Sequence, residues 1–287
     1  MAKTHSMAKK AERTAPLELE VLRTERVSPG FARVTLGGGE IAAFAHRGFD
    51  QWFRLFLPPE GVDDVRLPRT DGLAGYAQLL RTPKDVRPTM RNYTVRAFRP
   101  ATAEHGAELD IDFVLHEGAS GELEGVAAQW SLSCTPGDRV GVLDEGIGYD
   151  PAVGTDWHLL VADETGLPAV AGICGSLPSY ARGLAIVEIT DAADAQEFEK
   201  PDGVEIRWIV RGHDDRVGSL AYAAAREALP AGPERAHAFA VGESGLATGI
   251  RRLLVTENGW PKTAVSFCGY WRLPKGAPAI DAALTSA

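Results

Sequence analysis

Cysteine is scarce in this chain, and long apolar runs are missing. The 287-residue sequence has three cysteines, Cys134, Cys174 and Cys268, which are odd in number and far apart. This argues against a disulfide framework and against an iron–sulfur cluster held by four thiolates. No apolar run approaches the roughly 20 residues of a membrane span, and residues 1–14 lack the apolar core of a signal peptide. We therefore expect a cytoplasmic location, with residues 1–15 forming a disordered tail.

Basic charge is also in short supply over the chain as a whole, although not locally. The formal net charge is −9, whereas a nucleic-acid-binding protein would be expected to carry a positive surface. Between Arg66 and Arg99, however, eight basic residues stand against two acidic ones, which gives +6 locally and −15 over the remainder. A local positive field suits an anionic small ligand. A solvated basic loop is the alternative explanation.

The first half of the sequence alternates between apolar and polar residues over short segments separated by Pro and Gly. Such alternation is typical of half-buried β-strands, and many short strands indicate an antiparallel barrel. The expected strands are Leu17–Val21, Phe31–Leu36, Trp52–Leu57, Arg91–Arg96, Leu109–Leu115 and Val140–Leu143.

The second half changes to buried-type strands that alternate with helical segments, which predicts βαβ units and a parallel sheet. The expected strands are His158–Ala162, Leu184–Thr190, Val204–Val210, Ala238–Val241 and Ala264–Tyr270, and the expected helices are Leu167–Cys174, Ser219–Ala228 and Leu246–Thr256. A Gly-rich segment at residues 145–156 is the expected linker. The sequence thus predicts two domains, residues 16–148 and 149–287.

The segment Arg91–Arg96 combines cations, an aromatic ring and a hydroxyl at alternating positions of an expected strand. Successive strand residues point to opposite faces, so Arg91 and Tyr93 share one face and Thr94 lies on the other. An arginine can bind a pyrophosphate bidentately, a tyrosine ring can pack on an isoalloxazine, and a threonine hydroxyl can bond to its edge. The strand therefore predicts a flavin nucleotide site. An edge strand with a core tyrosine and two solvated arginines is the alternative.

A second chemical signal, Asp163-Glu164-Thr165, follows the first strand of the α/β half and precedes a helix. Nucleotides bind at the carboxyl edge of open parallel sheets, yet this loop lacks the Gly-x-Gly-x-x-Gly fingerprint and carries two carboxylates. A nicotinamide dinucleotide could enter there, with Thr165 and nearby N–H groups receiving it. Capping of the following helix by the two acids is the alternative. Arg211, at the end of another strand, is the candidate for the adenosine phosphate, against a merely solvent-exposed position.

Three spaced motifs relate the chain to a known family. They are Arg-x-Tyr-Thr-x-Arg at residues 91–96, Ala-Asp-Glu-Thr-Gly-Leu-Pro at 162–168 and Gly-Tyr-Trp-Arg at 269–272, with Gly242-Glu243 ending the penultimate strand. The sequence resembles the siderophore-interacting protein family over about residues 17–276. Members of that family are FAD-dependent ferric-siderophore reductases with a ferredoxin reductase-like fold. The resemblance implies a six-stranded antiparallel flavin barrel followed by a parallel α/β nucleotide-binding domain.

The resemblance also implies which residues serve each ligand. For a non-covalently held FAD they are Arg91, Tyr93, Thr94, Val95, His116, Gly125, Val126, Ala127, Ala128 and Trp271, with Thr94 near flavin N5. For NADPH or NADH they are Asp163, Glu164, Thr165, Arg211, Gly242, Glu243 and Tyr270. For the ferric siderophore they are Arg96, Arg272 and Lys275. No side chain is expected to act as an acid, a base or a metal ligand, because the flavin carries the chemistry and the iron arrives in its own chelator.

One family element is altered in this chain. Where the family has Gly-Pro-Ala-Ser-x-Trp-Ala opening a short helix, residues 125–131 read Gly-Val-Ala-Ala-Gln-Trp-Ser. Such a segment can still bind phosphate through the N–H groups at a helix start, whereas any serine contact to the pyrophosphate is put in doubt. Trp130 is expected in the core rather than at the ligand.

The function implied is electron transfer from NAD(P)H through FAD to Fe(III) in a ferric siderophore. Siderophores hold Fe(II) far less well than Fe(III), so reduction releases the metal. Two alternatives stay open, a generic NAD(P)H:flavin or electron-transfer reductase and a siderophore-binding carrier with little reductase activity. The altered segment at residues 125–128 gives the carrier some basis. Ferredoxin is an alternative electron donor, and neither a nucleic-acid partner nor a membrane span is expected.

Overall fold

The alternating segments of the first half form the strands of an antiparallel sheet. The computed structural model describes residues 15–117, 121–230 and 234–281, and the expected tail at residues 1–15 lies outside them apart from Ala15. The strands of this half are β1 (Leu17–Ser28), β2 (Phe31–Gly37), β3 (Trp52–Leu57), β4 (Thr89–Thr94), β5 (Ala97–Arg99), β6 (Glu108–Val114), β7 (His116–Glu117), β8 (Leu123–Glu124) and β9 (Arg139–Gly146). Seven of these join in the order β4-β3-β9-β1-β2-β6-β5, and β7 pairs with β8.

A bend in one strand closes this sheet into a barrel. β4 pairs with β3 and β5 pairs with β6, so the two ends of the strand order belong to consecutive stretches of chain. At the bend, the Val95 N–H donates to the Gln51 carbonyl at 2.8 Å, on the β3 side. The Arg96 N–H donates to the Asp110 carbonyl at 2.9 Å, on the β6 side. β4 and β5 are two halves of one bent strand, and the expected six-stranded antiparallel barrel is confirmed.

The barrel interior is filled by apolar side chains from alternate strand positions. Its fully buried members include Leu19, Val34, Phe53, Ile111 and Val142. Helix α2 (Val126–Ser133) packs Ala127 against the same cluster. Burial of this apolar surface is the main source of stability for the first unit.

Helix α1 (Gly72–Arg81) lies within the basic stretch Arg66–Arg99, so the alternative of a solvated basic loop does not describe all of that stretch. Leu79 on α1 packs onto Phe56 and Leu143, on the side of the sheet away from the barrel interior. Other leucines of this helix are exposed. Leu73, Tyr76 and Leu80 lie at helical spacing, but this apolar face is exposed and only Gly75 and Leu79 of the helix are buried.

The second half forms a separate unit that begins at Gly148. Its strands are β10 (Trp157–Asp163), β11 (Arg182–Ile189), β12 (Gly203–Val210), β13 (Ala236–Glu243) and β14 (Val265–Trp271), all parallel in the order β12-β11-β10-β13-β14. Its helices are α3 (Leu167–Ser176), α4 (Ser219–Glu227) and α5 (Ser244–Arg251), and α5 continues as a π-helical segment, Arg252–Glu257. The expected parallel α/β unit is confirmed. Its strand order changes direction at β10, and ligands bind at such a switch point in open α/β sheets.

No helix in the described ranges is long and apolar enough to span a membrane.

Two histidines lie side by side inside the second unit. His158 on β10 and His237 on β13 are direct neighbours and are 2% and 1% exposed. The hydroxyl of Tyr149, a buried residue within the expected linker, hydrogen-bonds to His158 Nδ1. His237 Nε2 lies 3.0 Å from Ser266 Oγ, and the other ring nitrogen of each histidine has no partner in the described residues. Burial lowers the pKa of both histidines to about 4.

These histidines should make the second unit sensitive to acid. Their folded-state pKa values lie below the ordinary value near 6.5, so the unfolded chain binds more protons between about pH 6.5 and 4. The stabilisation from the two neutral histidines is complete above about pH 6.5 and is lost as the pH falls toward 4, at roughly 3 kcal/mol for each histidine. Urea unfolding at about pH 7.5 and about pH 5 should show a smaller acid loss for His158→Gln than for the wild type. Equal losses in the two proteins would contradict this assignment.

Candidate functional site

Strand β4 places the two expected flavin residues on one side of the barrel wall. Arg91 and Tyr93 both lie opposite core residues of β3. Arg91 is exposed, and in the described part of the chain its guanidinium donates only to the Met90 carbonyl, at 2.9 Å. Thr94 is buried, and Val95 lies in the barrel core. The strand thus combines an available cation with a half-buried aromatic ring.

Tyr93 belongs to a row of aromatic rings that joins β4 to α2. Its ring centroid lies 4.5 Å from that of Phe113, which in turn lies 5.7 Å from that of Trp130 on α2. Burial raises the pKa of the Tyr93 phenol, so the side chain stays neutral. Trp130 packs against the core cluster, in agreement with its expected role. These contacts hold α2 beside the strand that carries Arg91.

The start of α2 is open and lined by small residues. Gly125 has a φ of +95°, and a Cβ built there would have no atom within 4 Å. Val126 is exposed, while Ala127 and Ala128 are buried. The first N–H groups of a helix have no intrahelical acceptor and attract phosphate. His116 lies opposite the residue before Gly125 in the β7–β8 pair, which places it beside this start.

These features fit a flavin nucleotide. A pyrophosphate needs a guanidinium, N–H donors and room for close approach, which Arg91 and the start of α2 supply. An isoalloxazine needs an aromatic wall and a polar group at its edge, which Tyr93 and Thr94 can supply. The altered segment at residues 125–128 keeps its glycine and its helix start although the Pro and Ser are missing, and its contact with the FAD pyrophosphate stays a prediction.

Arg96 is held by ion pairing beside β6. Its Nε lies 3.3 Å from Asp112, whose carboxylate also accepts hydrogen bonds from Arg33 at 2.6 and 2.9 Å. The Asp112 side chain is fully buried. Removing one partner of a buried ion pair leaves an uncompensated charge. Arg96 therefore has a structural role, and its expected contact with the ferric siderophore stays a prediction.

In the second unit, one carboxylate joins the Asp-Glu-Thr loop to the Gly-Tyr-Trp-Arg end. Asp163 is completely buried, and its Oδ1 accepts hydrogen bonds from the Thr165 N–H and hydroxyl at 2.9 and 2.5 Å. Its Oδ2 accepts from the Glu243 N–H at 2.6 Å and from the Trp271 indole N–H at 3.0 Å. Glu243 and Trp271, which lie 80 and 108 positions after Asp163 in sequence, thus donate to the same oxygen atom of Asp163.

The surroundings of Asp163 have opposite effects on the ionisation of its carboxyl group. Burial, together with the neighbouring Glu164 carboxylate, raises the pKa of Asp163 to about 7. The four donors favour the ionised form. Gly242 borders this carboxylate with a φ of +112°, and a Cβ there would lie 2.5 Å from it. Glycine is required at this position on both counts.

Arg211 is turned toward acidic side chains. Each of its Nη atoms donates to the Glu164 carboxylate at 2.6 Å, and Nη1 lies 3.7 Å from Glu188. The Arg211 side chain is only 9% exposed. This geometry gives no support to the expected adenosine-phosphate contact. It shows Arg211 neutralising Glu164.

Two further members of this edge were not identified from the sequence. Glu188 accepts hydrogen bonds from N–H groups at the start of α4, at 2.6 and 3.0 Å. Arg216 lies 3.0 Å from Glu243, which also accepts the Gly245 N–H at 2.7 Å and so caps α5. A lone carboxylate in the apolar strand β11 was an available signal for Glu188. Arg216 lies in a loop that offers no such signal.

The expected residues at the C-terminal end of the sheet differ in exposure. Tyr270 is 39% exposed, and Arg272 and Lys275 are exposed without an ion pair among the described residues. Trp271 is half-buried, and its carbonyl accepts a hydrogen bond from the Ser244 hydroxyl at 2.7 Å. The ligand contacts expected of these four residues stay predictions.

The chain has the ferredoxin reductase-like fold, in which an antiparallel barrel is followed by a parallel α/β unit. Within that fold class, the chain belongs to the siderophore-interacting protein family. The family model for the siderophore-interacting FAD-binding domain matches residues 20–147, and the model for the siderophore-interacting protein matches residues 155–274.

Individual relatives agree with this membership. Ferric vibriobactin reductase ViuB of Vibrio cholerae is 30% identical over 275 residues, which cover 95% of each chain. The NADPH-dependent ferric-chelate reductase of Escherichia coli is 34% identical over 203 residues, covering 70% of this chain and 72% of the relative. The crystal structure of a siderophore utilization protein from T. fusca has a TM-score of 0.74 at 32% identity and covers 96% of this chain and 97% of that one.

Asp163→Asn should destabilise the second unit strongly. An amide presents one acceptor oxygen and two N–H donors to four existing donors, so buried N–H groups lose their partners. We expect a loss of roughly 2–4 kcal/mol in the free energy of unfolding. Asp191→Asn is the matched control, because Asp191 is exposed and accepts a single N–H bond, from Ala193 at 2.8 Å. It should cost about 0.5 kcal/mol or less, and similar losses for the two variants would refute the proposed importance of Asp163.

Proposed function

We propose that this chain is an FAD-dependent reductase that takes electrons from NAD(P)H and passes them to Fe(III) in a ferric siderophore, releasing Fe(II). The observation that carries the proposal is that both units match siderophore-interacting family models, in order and nearly end to end. The names of two relatives, a ferric vibriobactin reductase and an NADPH-dependent ferric-chelate reductase, support the same activity.

The first unit would hold the flavin. The Arg91 guanidinium and the N–H groups at the start of α2 would receive the pyrophosphate, and Tyr93 would pack on the ring system. When bound, FAD supplies both two-electron and one-electron redox chemistry. The side chains then have to orient the cofactor and exclude water, and none of them needs to exchange a proton with the iron complex.

The second unit would receive the nicotinamide nucleotide at the carboxyl edge of its sheet. This edge carries acids, yet each is compensated within the unit. Glu164 is paired with Arg211, Glu243 with Arg216, and Asp163 is held by four donors. An anionic nucleotide therefore does not meet a row of bare carboxylates. The candidate electron donors are NADPH and NADH, with ferredoxin as a third.

The iron would need no protein ligand. Fe(III) in a siderophore is already held by oxygen donors, and the chelate carries negative charge that suits cations such as Arg272 and Lys275. Among the described residues, no three His, Cys, Asp or Glu side chains come together in a group that could hold a metal ion. The protein would therefore act on the chelate from outside.

The generic-reductase and carrier alternatives differ from this proposal in measurable ways. A generic flavin reductase would reduce free flavin or a small redox protein faster than it reduces a ferric siderophore. A carrier would bind the chelate without passing electrons to it. The intact helix start at Gly125 argues against a vestigial flavin site.

Anaerobic mixing of the FAD-loaded protein with NADPH or NADH, followed by a ferric catecholate or hydroxamate, tests the activity. We expect one nucleotide to bleach the flavin spectrum and the ferric chelate to restore it, with Fe(II) appearing in a ferrous-specific dye. If reduced ferredoxin bleaches the flavin and neither nucleotide does, the proposed electron donor changes to ferredoxin and the proposed reductase activity stands. A reduced flavin that the chelate fails to reoxidise would overturn the proposed reductase.

Arg91→Gln should weaken FAD binding while leaving the barrel folded. The exposed Arg91 side chain contributes no ion pair within the described residues, and losing charge-assisted hydrogen bonds to phosphate should weaken binding by about tenfold to a hundredfold. Fluorescence titration of the flavin-free protein with FAD measures this directly. Arg26→Gln is the control, because Arg26 is also exposed and, within the part of the chain that the structure describes, its side chain bonds only to backbone carbonyls. Unchanged FAD affinity in Arg91→Gln would remove Arg91 from the flavin site.

A further inference from the structure

A cavity outside the proposed flavin contacts lies in the first unit. It has a volume of about 380 Å³ and is formed between residues 66–69 and the end of α1 with the two residues that follow it. Three arginines line it, Arg66 and Arg69 from one segment and Arg81 from the other. No acidic residue is among its lining residues. The volume is at the lower end of the range for small-molecule sites, about 300–1,000 Å³.

These arginines differ from most others in the same unit. Arg23, Arg33 and Arg99 pair with carboxylates at 2.6–2.7 Å, and four further arginines of the barrel unit also have acidic partners. The guanidinium groups of the cavity make no ion pair and no hydrogen bond within the described residues. In a chain with a net charge of −9, three unpaired cations around one concavity are a local concentration of positive potential.

The cavity walls are fixed by contacts of their own. The Arg69 N–H donates to Gln78 Oε1 at 2.9 Å, which ties the two walls together. Gly75 packs so closely that a Cβ there would lie 1.9 Å from the Thr70 carbonyl oxygen. Below the cavity, Leu79 is buried against the barrel. The backbone segments that carry the arginines are therefore held against each other, while the three arginine side chains themselves are exposed.

The C-terminal end of α1, whose carbonyl groups would repel an anion, is compensated. Arg87 donates to the Leu80 carbonyl at 2.6 Å and to the Thr82 carbonyl at 2.7 and 3.0 Å. A cation at a helix C-terminus balances the negative end of the helix dipole. The arginines that line the cavity are left available for a ligand.

From this geometry we infer that the cavity is a binding site for a compact oxygen-rich anion that carries at least two negative groups. Guanidinium groups match carboxylate and phosphate oxygens bidentately. Two sources supply that chemistry, free phosphate or carboxylate compounds and the carboxylate-bearing chelates of iron. The inference concerns binding alone and does not require the proposed reductase activity.

Titration calorimetry on the FAD-loaded full chain at low salt tests the inference with pyrophosphate, citrate and ferric citrate as separate probes. We expect at least one probe to bind, and Arg66→Gln/Arg69→Gln/Arg81→Gln to weaken it by about tenfold for each arginine that contacts it. The control Lys200→Gln/Arg226→Gln/Lys262→Gln removes the same charge from exposed positions in the second unit. It should change affinity by no more than about twofold.

Each outcome of the titration decides a question. Binding of ferric citrate but not citrate identifies an iron chelate as the ligand class, and binding of pyrophosphate or citrate without ferric citrate identifies a metal-free anion. Loss of pyrophosphate binding in Arg91→Gln but not in the cavity variant would place that ligand in the flavin site and overturn the inference. So would equal weakening in the cavity and control variants, or no binding of any probe. A wild type that binds a probe but fails to reduce ferric siderophores would count against the proposed function alone.

Discussion

The buried carboxylate of Asp163 is the constraint on which the second unit depends. It accepts four hydrogen bonds from three separate parts of the chain. An ionised carboxylate is expensive to bury, and only a full set of donors makes it tolerable. Gly242 has to be glycine because of this carboxylate, and the Trp271 indole takes its position from it. The loop and the last strand of the sheet are therefore one structural element, although they lie far apart in sequence.

Charge is compensated differently at two places in the chain, the carboxyl edge of the second unit and the arginine-lined cavity of the first. At the carboxyl edge of the second unit, Glu164, Glu188 and Glu243 each have an arginine or a helix start as partner. The edge is rich in acids yet locally balanced. In the first unit, the cavity arginines and Arg91 are unpaired in the described residues. The chain thus keeps uncompensated positive charge where phosphate or chelate anions are expected, in spite of its net charge of −9.

Local sequence patterns predicted the fold of this molecule, but they did not predict which individual side chains pair with each other. Alternation and βαβ periodicity predicted the barrel and the parallel sheet, because side-chain burial has the same period as the strand or helix. The same patterns could not reveal that Arg96 pairs with Asp112, or that Arg211 pairs with Glu164, 47 positions away. An arginine near a strand end looks the same in sequence whether it faces a ligand or a buried acid. Helix α1 was not predicted either. Of its residues only Gly75 and Leu79 are buried, so its apolar residues do not mark a face that packs on the core.

The strand that carries the Arg-x-Tyr-Thr-x-Arg motif also closes the barrel. Some residues of the motif are available to a ligand, and others form the bend. Residues up to Thr94 pair with β3, and the bend at Val95 and Arg96 transfers the chain to β6. Arg91 lies before the bend and is available to a ligand, whereas Arg96 is committed to Asp112. The Arg-x-Tyr-Thr-x-Arg motif therefore combines two constraints on one strand. Its first half is expected to contact the cofactor, and its second half forms the bend that lets six strands close.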